Sequence, residues 1–235
     1  MMQASLAEAE SLVLKAAIGA GLEPGLASLS ARATRWLCQY GLPGTRLVVR
    51  ALSNGLERRS VGVKWTGERK LCAVTENQMV SVLYAGAVVI DHRSLARAPM
   101  TVTSPDEPLL LLAMVAHAIG NDSVKLTWPD SSGNRHGLQV DNDGCTFLGE
   151  GYGPLYRSGV LDLCLTCDWN PPEVTGSVLW NDAALVHRQK SVYINGVEIG
   201  QADLLFLHQW GAKTLIPDSD ISREKGAGAG RIDTD

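Results

Sequence analysis

The feature that most constrains the fold is an apolar run, Leu109–Ile119, in which His117 is the only strongly polar residue. Asp106 and Glu107 precede it, where the positive end of a helix dipole favours acids, and Gly120 terminates it. A helix that is apolar on all sides has to be buried. We therefore predict a central helix with other layers of structure around it, and a buried, hydrogen-bonded His117.

The first 41 residues predict a helical hairpin. Ser5 and Glu8 have the spacing of a capping box, in which each side chain accepts a hydrogen bond from the other residue's backbone. Apolar residues then recur at helical spacing as far as Gly19. Pro24 suits the first turn of a second helix, which Gly41 ends.

The rest of the chain predicts mainly strands. Short strands are favoured at Leu47–Val49 and Val61–Val63, around a polar turn at Ser53–Gly55. Thr75–Ile90 fits a helix, although its last residues have strong strand propensity. An Asn-Gly pair inside Val192–Ile199 predicts a hairpin there.

Alternation of apolar and polar residues predicts a further hairpin from Val124–Trp128 and His136–Val140. Val160–Cys167 is typical of a buried strand, and a last short helix is expected over Ala202–Trp210. This order of elements favours a single-domain α+β fold, with the N-terminal helical hairpin packed on a mixed or antiparallel sheet. The domain comprises the hairpin (1–41), an α+β body (42–217) and a glycine-rich tail (218–235).

Composition narrows the classes of partner. The net charge is −4 and no basic face is clustered, so we expect no nucleic-acid partner. No export signal is visible and no apolar run reaches the roughly 18 residues of a membrane span. We therefore expect a cytoplasmic protein without a membrane partner, whose five cysteines are free thiols.

Two motifs resemble metal sites without fulfilling their requirements. Cys164 and Cys167 lie three apart in a predicted strand, so their side chains point to opposite faces. Gln139–Glu150 resembles a calcium loop, but glutamine occupies its first ligand position and strands flank it. We interpret these segments as structural cysteines and a hairpin turn, and we expect neither a metal nor a cofactor.

Two residues are candidates for proton transfer. His136 faces Trp128 across a predicted hairpin and is the candidate general base. Asp162, in an otherwise apolar strand, is the candidate catalytic acid. The alternative for Asp162 is a structural role, which we favour because buried carboxylates are usually paired.

The C-terminal tail is the candidate binding site. Its alternating glycines allow backbone amides to converge on an anion and to stabilise developing negative charge. The alternative is a frayed, solvated terminus. The predicted binding residues are Ser222, Arg223, Lys225, Gly226, Gly228 and Gly230.

The candidate proton-transfer residues and the candidate binding residues of the tail together favour a cofactor-free hydrolase or lyase acting on a small anionic metabolite. The alternatives are a non-catalytic accessory subunit whose tail docks into a partner enzyme, and a ligand-binding sensor. A homo-oligomer is compatible with both the enzyme and the accessory subunit, because the tail of one copy can also dock into another copy across a symmetry axis.

Three segments carry a resemblance to a known family: Leu14–Leu22, Arg35–Leu37 and Ser222–Gly230 with Asp233 and Asp235. They resemble an uncharacterised family of bacterial proteins of about this length, domain-of-unknown-function family 3726. The resemblance implies no activity, cofactor or substrate. Members of that family often end in Asp-Asn-Asp, so the threonine between Asp233 and Asp235 argues against a chemical role for the middle residue.

Overall fold

The computed structural model describes residues 2–66, 69–92, 100–119, 124–129, 135–141, 144–148, 163–166, 178–180 and 182–214. These residues form an α+β fold, as predicted. The helices are α1 (Leu6–Gly19), α2 (Pro24–Gln39), α3 (Gly44–Leu56), α4 (Val82–Asp91), α5 (Pro108–Ile119), α6 (Asp182–Asn195) and α7 (Gln201–Gly211), and a 3₁₀ turn follows at Ala212–Thr214. The strands are β1 (Met2–Ala4), β2 (Ser60–Val61), β3 (Val63–Thr66), β4 (Lys70–Ala73), β5 (Met79–Val80), β6 (Met100–Val102), β7 (Val124–Pro129), β8 (Arg135–Asp141), β9 (Gly144–Leu148), β10 (Leu163–Thr166), β11 (Val178–Trp180) and β12 (Val197–Ile199).

The predicted N-terminal hairpin is confirmed as α1 and α2. The Ser5 hydroxyl accepts the Glu8 N–H at 3.1 Å, and the Glu8 carboxylate accepts the Ser5 N–H at 2.7 Å. This capping box satisfies two backbone donors that the first turn of a helix leaves without partners. The two helices pack on each other, α1 also contacts α7, and α2 also contacts α5.

The expected strand at residues 47–49 and turn at residues 53–55 are wrong, because both segments lie within α3. Leu47, Val48, Ala51 and Leu52 are buried at helical spacing, against α2 and α5. The strand propensity of paired valines is a weak preference, and the packing of an amphipathic helix outweighs it.

The buried central helix is confirmed as α5. Every residue from Leu109 to Val115 is at most 1% exposed. This helix packs against α2 and α4 and forms the centre of the hydrophobic core. No helix in the described ranges is long and apolar enough to cross a membrane.

The sheet is mixed, as predicted. Its described strands follow the order β11-β9-β8-β7-β10-β6-β4-β3, and each neighbouring pair is antiparallel except β4 with β6. Asp141 of β8 pairs with Gly144 of β9, so the segment that resembles a calcium loop contains a hairpin. Trp128 pairs with His136, in the register expected from their alternation.

The hairpin predicted at residues 192–199 is wrong. Asn195 ends α6, and Gly196 follows with a φ of +78° while its N–H donates to the Val192 carbonyl at 2.8 Å. An Asn-Gly pair suits a helix end as well as a hairpin tip, because both require a left-handed residue. The strand after it, β12, pairs instead with β1 at the start of the chain.

We expect Gly44→Ala to lower the free energy of unfolding by about 2 kcal/mol. A Cβ at Gly44 would lie 2.5 Å from the Thr34 carbonyl oxygen and 3.0 Å from both Cys38 Sγ and Leu37 Cβ, so α3 would have to move away from α2. Equilibrium unfolding in urea measures the effect. Gly55→Ala is the control in the same helix, since a Cβ there meets nothing within 4 Å. It should be neutral or stabilising by up to about 1 kcal/mol, and equal losses in both variants would contradict the prediction.

Candidate functional site

The residues that the sequence singled out for chemistry fall mostly outside the described ranges. His136 lies in β8, opposite Trp128 of β7, and its role as a general base stays a prediction. The roles predicted for the others also stay predictions, since Asp162, Ser222, Arg223, Lys225, Gly226, Gly228 and Gly230 lie outside the described residues.

The described residues form a different candidate site, at the C-terminal end of α5. Four side chains of α2 recur there at helical spacing and share one face of the helix. With His117 and a side chain of α1 they surround a cavity of about 290 Å³. We call this site the His117 groove, and it is lined by Glu10, Arg32, Arg35, Trp36, Gln39 and His117.

His117 is exposed, which corrects the expectation that it is buried. The fully buried part of α5 ends at Val115, and the last turn reaches the edge of the core beside α1 and α2. Periodicity within one helix cannot reveal where the neighbouring helices stop covering it.

The groove lowers the pKa of His117 from its ordinary value of 6.5. The largest cause is partial desolvation of the ring, which disfavours the charged form even though the residue as a whole is exposed. The positive charges of Arg32 and Arg35 lower the pKa further, whereas the negative charge of Glu10 raises it. At neutral pH the imidazole is therefore mainly uncharged and able to accept a proton.

The two arginines of the groove differ in their partners. Arg35 Nη1 lies 2.8 Å from Glu10 Oε2, so this guanidinium is held against α1. The pair is partly exposed and contributes little to stability. Arg32 is exposed and forms no ion pair with another described residue. Its guanidinium is therefore available to a ligand.

Trp36 supplies the apolar wall. Its ring meets the Tyr40 ring edge-on, with centroids 4.8 Å apart and planes inclined at 65°. Such pairs favour one ring orientation. The groove thus combines a guanidinium, a neutral base and a fixed apolar surface in a space that suits a small organic acid. In the described part of the chain, no cluster of histidine, cysteine and acidic side chains is suited to a metal ion.

Sequence reasoning missed Arg32, Arg35 and Gln39. The signal that it could have used is their spacing, which together with Trp36 gives one polar and aromatic stripe along α2. Their proximity to His117 depends on how α2 packs against α5, some 80 residues later in the chain, and no local pattern shows it.

Comparison with known structures shows the fold. The chain is similar to a dehydrogenase from Sinorhizobium meliloti, with 13% identity, a TM-score of 0.55, and coverage of 90% of this chain and 99% of that one. It is also similar to a sulfolactate dehydrogenase from Methanocaldococcus jannaschii, with 8% identity, a TM-score of 0.54, and coverage of 89% and 96%. A malate dehydrogenase from Pyrococcus horikoshii has 9% identity, a TM-score of 0.53, and coverage of 91% and 95%.

This likeness overturns the expected function. The prediction of a hydrolase or lyase is contradicted by these three similar structures, each of which is a dehydrogenase. That prediction rested on His136, on Asp162 and on the residues of the tail, and of these only His136 lies within the described residues.

The family comparison concerns the N-terminal third of the chain. No curated protein matches the sequence. The resemblance expected from the sequence is nevertheless confirmed, because residues 4–77 match the family described as protein of unknown function (DUF3726).

Proposed function

We propose that this protein is an oxidoreductase of small hydroxy acids or the corresponding oxo acids, and that the His117 groove binds the acid. The observation that carries the proposal is the arrangement of the groove, in which a neutral imidazole lies beside a guanidinium in a cavity of about 290 Å³. The fold supports it, since malate and sulfolactate dehydrogenases share that fold. A small anionic metabolite, first expected at the tail, is thus placed by this proposal on α2 and α5.

Arg32 binds the carboxylate of the acid in this proposal. A guanidinium offers two parallel N–H donors that match the two oxygens of a carboxylate. Arg35 is already paired with Glu10, so its role is to hold the wall of the groove and to keep positive charge near His117. Trp36 covers the carbon skeleton of the acid.

His117 moves the proton. Oxidation of a hydroxy acid to an oxo acid releases the hydroxyl proton, and a neutral imidazole within hydrogen-bond reach accepts it. In the reverse direction the imidazolium returns that proton to the carbonyl oxygen. The lowered pKa suits the oxidation, because it keeps the imidazole unprotonated at neutral pH.

The hydride of the same reaction needs an acceptor, and nicotinamide cofactors supply this chemistry when bound. The expectation of a cofactor-free protein therefore does not extend to this function. A groove of about 290 Å³ is near the lower limit of ligand cavities and does not accommodate a dinucleotide beside an acid. The proposed function therefore requires residues outside the groove to hold the acceptor, and we assign the described residues of the groove no step in hydride transfer.

We expect Arg32→Gln to weaken the binding of L-malate and L-lactate at least tenfold, because a charge-assisted bidentate contact is lost. Isothermal titration calorimetry on the full chain measures this effect.

With a nicotinamide dinucleotide as acceptor, His117→Asn should lower the turnover number roughly a hundredfold or more. Arg59→Gln is the control, since Arg59 pairs with Glu57 on the surface and does not line the groove.

The pH dependence of the oxidation rate tests the roles of His117 and Arg32 separately. The oxidation rate should fall as the pH drops through the lowered pKa of His117, because imidazolium cannot accept a proton. Arg32→Gln removes one of the charges that lower this pKa, so the acidic limb should move to higher pH. If neither acid binds, or if the limb stays in place in Arg32→Gln, the proposed function is wrong.

A further inference from the structure

The charges that line the His117 groove limit how many carboxylates a ligand can carry there. Arg32 and Arg35 each contribute a positive charge and Glu10 contributes a negative one, so these three side chains leave a single net positive charge. His117 adds none while its imidazole is neutral. A ligand with one carboxylate therefore neutralises the groove, whereas a second carboxylate would leave an excess negative charge.

The packing of α1 on α2 fixes the position of Glu10. Its Oε2 accepts a hydrogen bond from Arg35 Nη1 at 2.8 Å, and the Glu10 side chain is 27% exposed, compared with 46% for Arg35. On either side of it in α1, Ala9 and Val13 are completely buried, so the backbone that carries Glu10 stays against α2. The negative charge of Glu10 is therefore a fixed part of the groove wall.

Arg35 is a poor second site for a carboxylate because its charge is already compensated. The hydrogen bond to Glu10 uses only Nη1, so the guanidinium keeps other donors. A carboxylate that approached them from the groove would also approach the Glu10 carboxylate, and repulsion between like charges offsets the attraction to Arg35. Arg32, in contrast, forms no ion pair with a described acid.

The remaining wall of the groove on α2 is uncharged. Trp36 and Gln39 are both half-buried and line the groove together with Arg35. The Trp36 ring offers an apolar surface to a hydrocarbon chain, and the Gln39 amide can exchange hydrogen bonds with a hydroxyl or an amide. Neither side chain compensates the charge of a second carboxylate. This wall therefore suits an acid whose remaining part is uncharged.

We propose that Glu10, through its pair with Arg35, restricts the His117 groove to hydroxy acids with one carboxylate and an uncharged remainder. This inference rests on the proposed function, because it names the class of acid that the same groove takes. Arg32 binds the single carboxylate and Trp36 covers the uncharged part of the acid. Glu10 is a specificity-determining residue, which excludes dicarboxylic acids by holding Arg35 and by repelling a second carboxylate.

Two acids of nearly the same shape test the restriction. L-leucate and L-malate are the hydroxy-acid counterparts of leucine and aspartate, and both branch at the same carbon, into two methyl groups or into a second carboxylate. Isothermal titration calorimetry on the full chain at neutral pH measures both dissociation constants. The unmodified chain should bind L-leucate roughly fivefold more tightly than L-malate, as expected for a partly exposed charge interaction. The ratio of the two constants cancels any change that affects both acids equally.

Glu10→Gln is the test variant. It removes the negative charge, keeps the length of the side chain and releases Arg35, so the preference for L-leucate should fall at least roughly fivefold. Glu8→Gln is the matched control, because Glu8 is an exposed acid of the same helix that does not line the groove. Glutamine also completes a capping box, so α1 should keep its start. The ratio should stay unchanged in Glu8→Gln, although the chain loses the same charge.

The double variant Glu10→Gln with Arg35→Gln identifies the released group. It restores the single net positive charge of the groove, so the preference for L-leucate should return. The inference is overturned if the unmodified chain binds both acids equally, if Glu10→Gln changes the ratio no more than Glu8→Gln does, or if the double variant keeps the ratio of Glu10→Gln. If neither acid binds, the proposed function fails as well. If both acids bind with a ratio that does not depend on Glu10, this inference alone fails.

Discussion

Replacing Arg50 by methionine should lower the free energy of unfolding by about 4 kcal/mol. Arg50 of α3 places its Nε 2.8 Å from Oε1 of Glu107, and the Glu107 side chain is completely buried. Methionine keeps most of the apolar length of the side chain but leaves the carboxylate without this guanidinium. The Arg50 side chain is 38% exposed, so the cost arises mainly from the Glu107 charge, which stays desolvated when its partner is removed. Equilibrium unfolding in urea at neutral pH measures the loss.

A surface pair of the same length provides the control. Arg59 Nη2 and Glu57 Oε2 are also 2.8 Å apart, but more than half of each side chain is exposed. Arg59→Met should therefore cost less than about 1 kcal/mol. In the double variant Arg50→Met with Glu107→Gln, the buried charge is removed and at least half of the lost stability should return. Similar losses in Arg50→Met and Arg59→Met would show that burial does not determine the effect.

Asp106→Asn should remove a pH-dependent cost of about 3 kcal/mol. Burial raises the pKa of the Asp106 carboxyl from 3.8 to about 6, although hydrogen bonding from the Val82 N–H, at 3.0 Å from Oδ1, opposes the shift. The nearby Ser60 hydroxyl also lowers this pKa, yet neither Ser60 Oγ nor Asp106 Oδ2 has a hydrogen-bond partner of normal geometry among the described residues. The carboxyl therefore stays incompletely compensated when it ionises.

The direction in which stability changes with pH follows from the raised pKa of Asp106. Below pH 3.8 the carboxyl is protonated in both the folded and the unfolded chain, and burial of the neutral group carries no charge penalty. Between pH 3.8 and about 6 the unfolded chain releases this proton while the folded chain retains it, so stability is lost relative to the asparagine variant, and above about 6 the loss is complete. Asparagine keeps an oxygen that can accept the Val82 N–H.

Urea denaturation at several pH values tests this prediction. The stability of Asp106→Asn minus that of the unmodified chain should rise by about 2 kcal/mol from pH ~4.5 to pH ~7.5. Glu57→Gln, a change of the same kind at an exposed acid, should give a difference that is nearly constant across this range. A flat difference for Asp106→Asn would contradict the raised pKa.

Prediction from sequence succeeded where a single element specifies its own structure. The capping box at Ser5 and Glu8, the proline at the start of α2 and the uniformly apolar surface of α5 each act within a few residues of one another. Their physical causes are backbone hydrogen bonds and burial, which leave a local pattern. These features were sufficient to place three helices and to recognise a mixed α+β fold.

Prediction from sequence failed where one segment can adopt two local structures of similar free energy. Residues 47–49 have strand propensity but lie in a helix, since packing against α2 and α5 contributes more than intrinsic preference. The Asn195-Gly196 pair allows a left-handed residue at either a hairpin tip or a helix end, and the pairing of β12 with β1 selects the second.

The sequence by itself determined the helical hairpin, the buried α5 and the α+β class, because each depends on periodicity or capping between near neighbours. The tertiary structure alone decided that Arg32 and His117 share a groove and that the Asp106 carboxyl lies beside Ser60 and the Val82 N–H. These residues are brought together by the packing of helices and by the parallel pairing of β2 with β5. Such contacts join distant parts of the chain, and no pattern within either part records them.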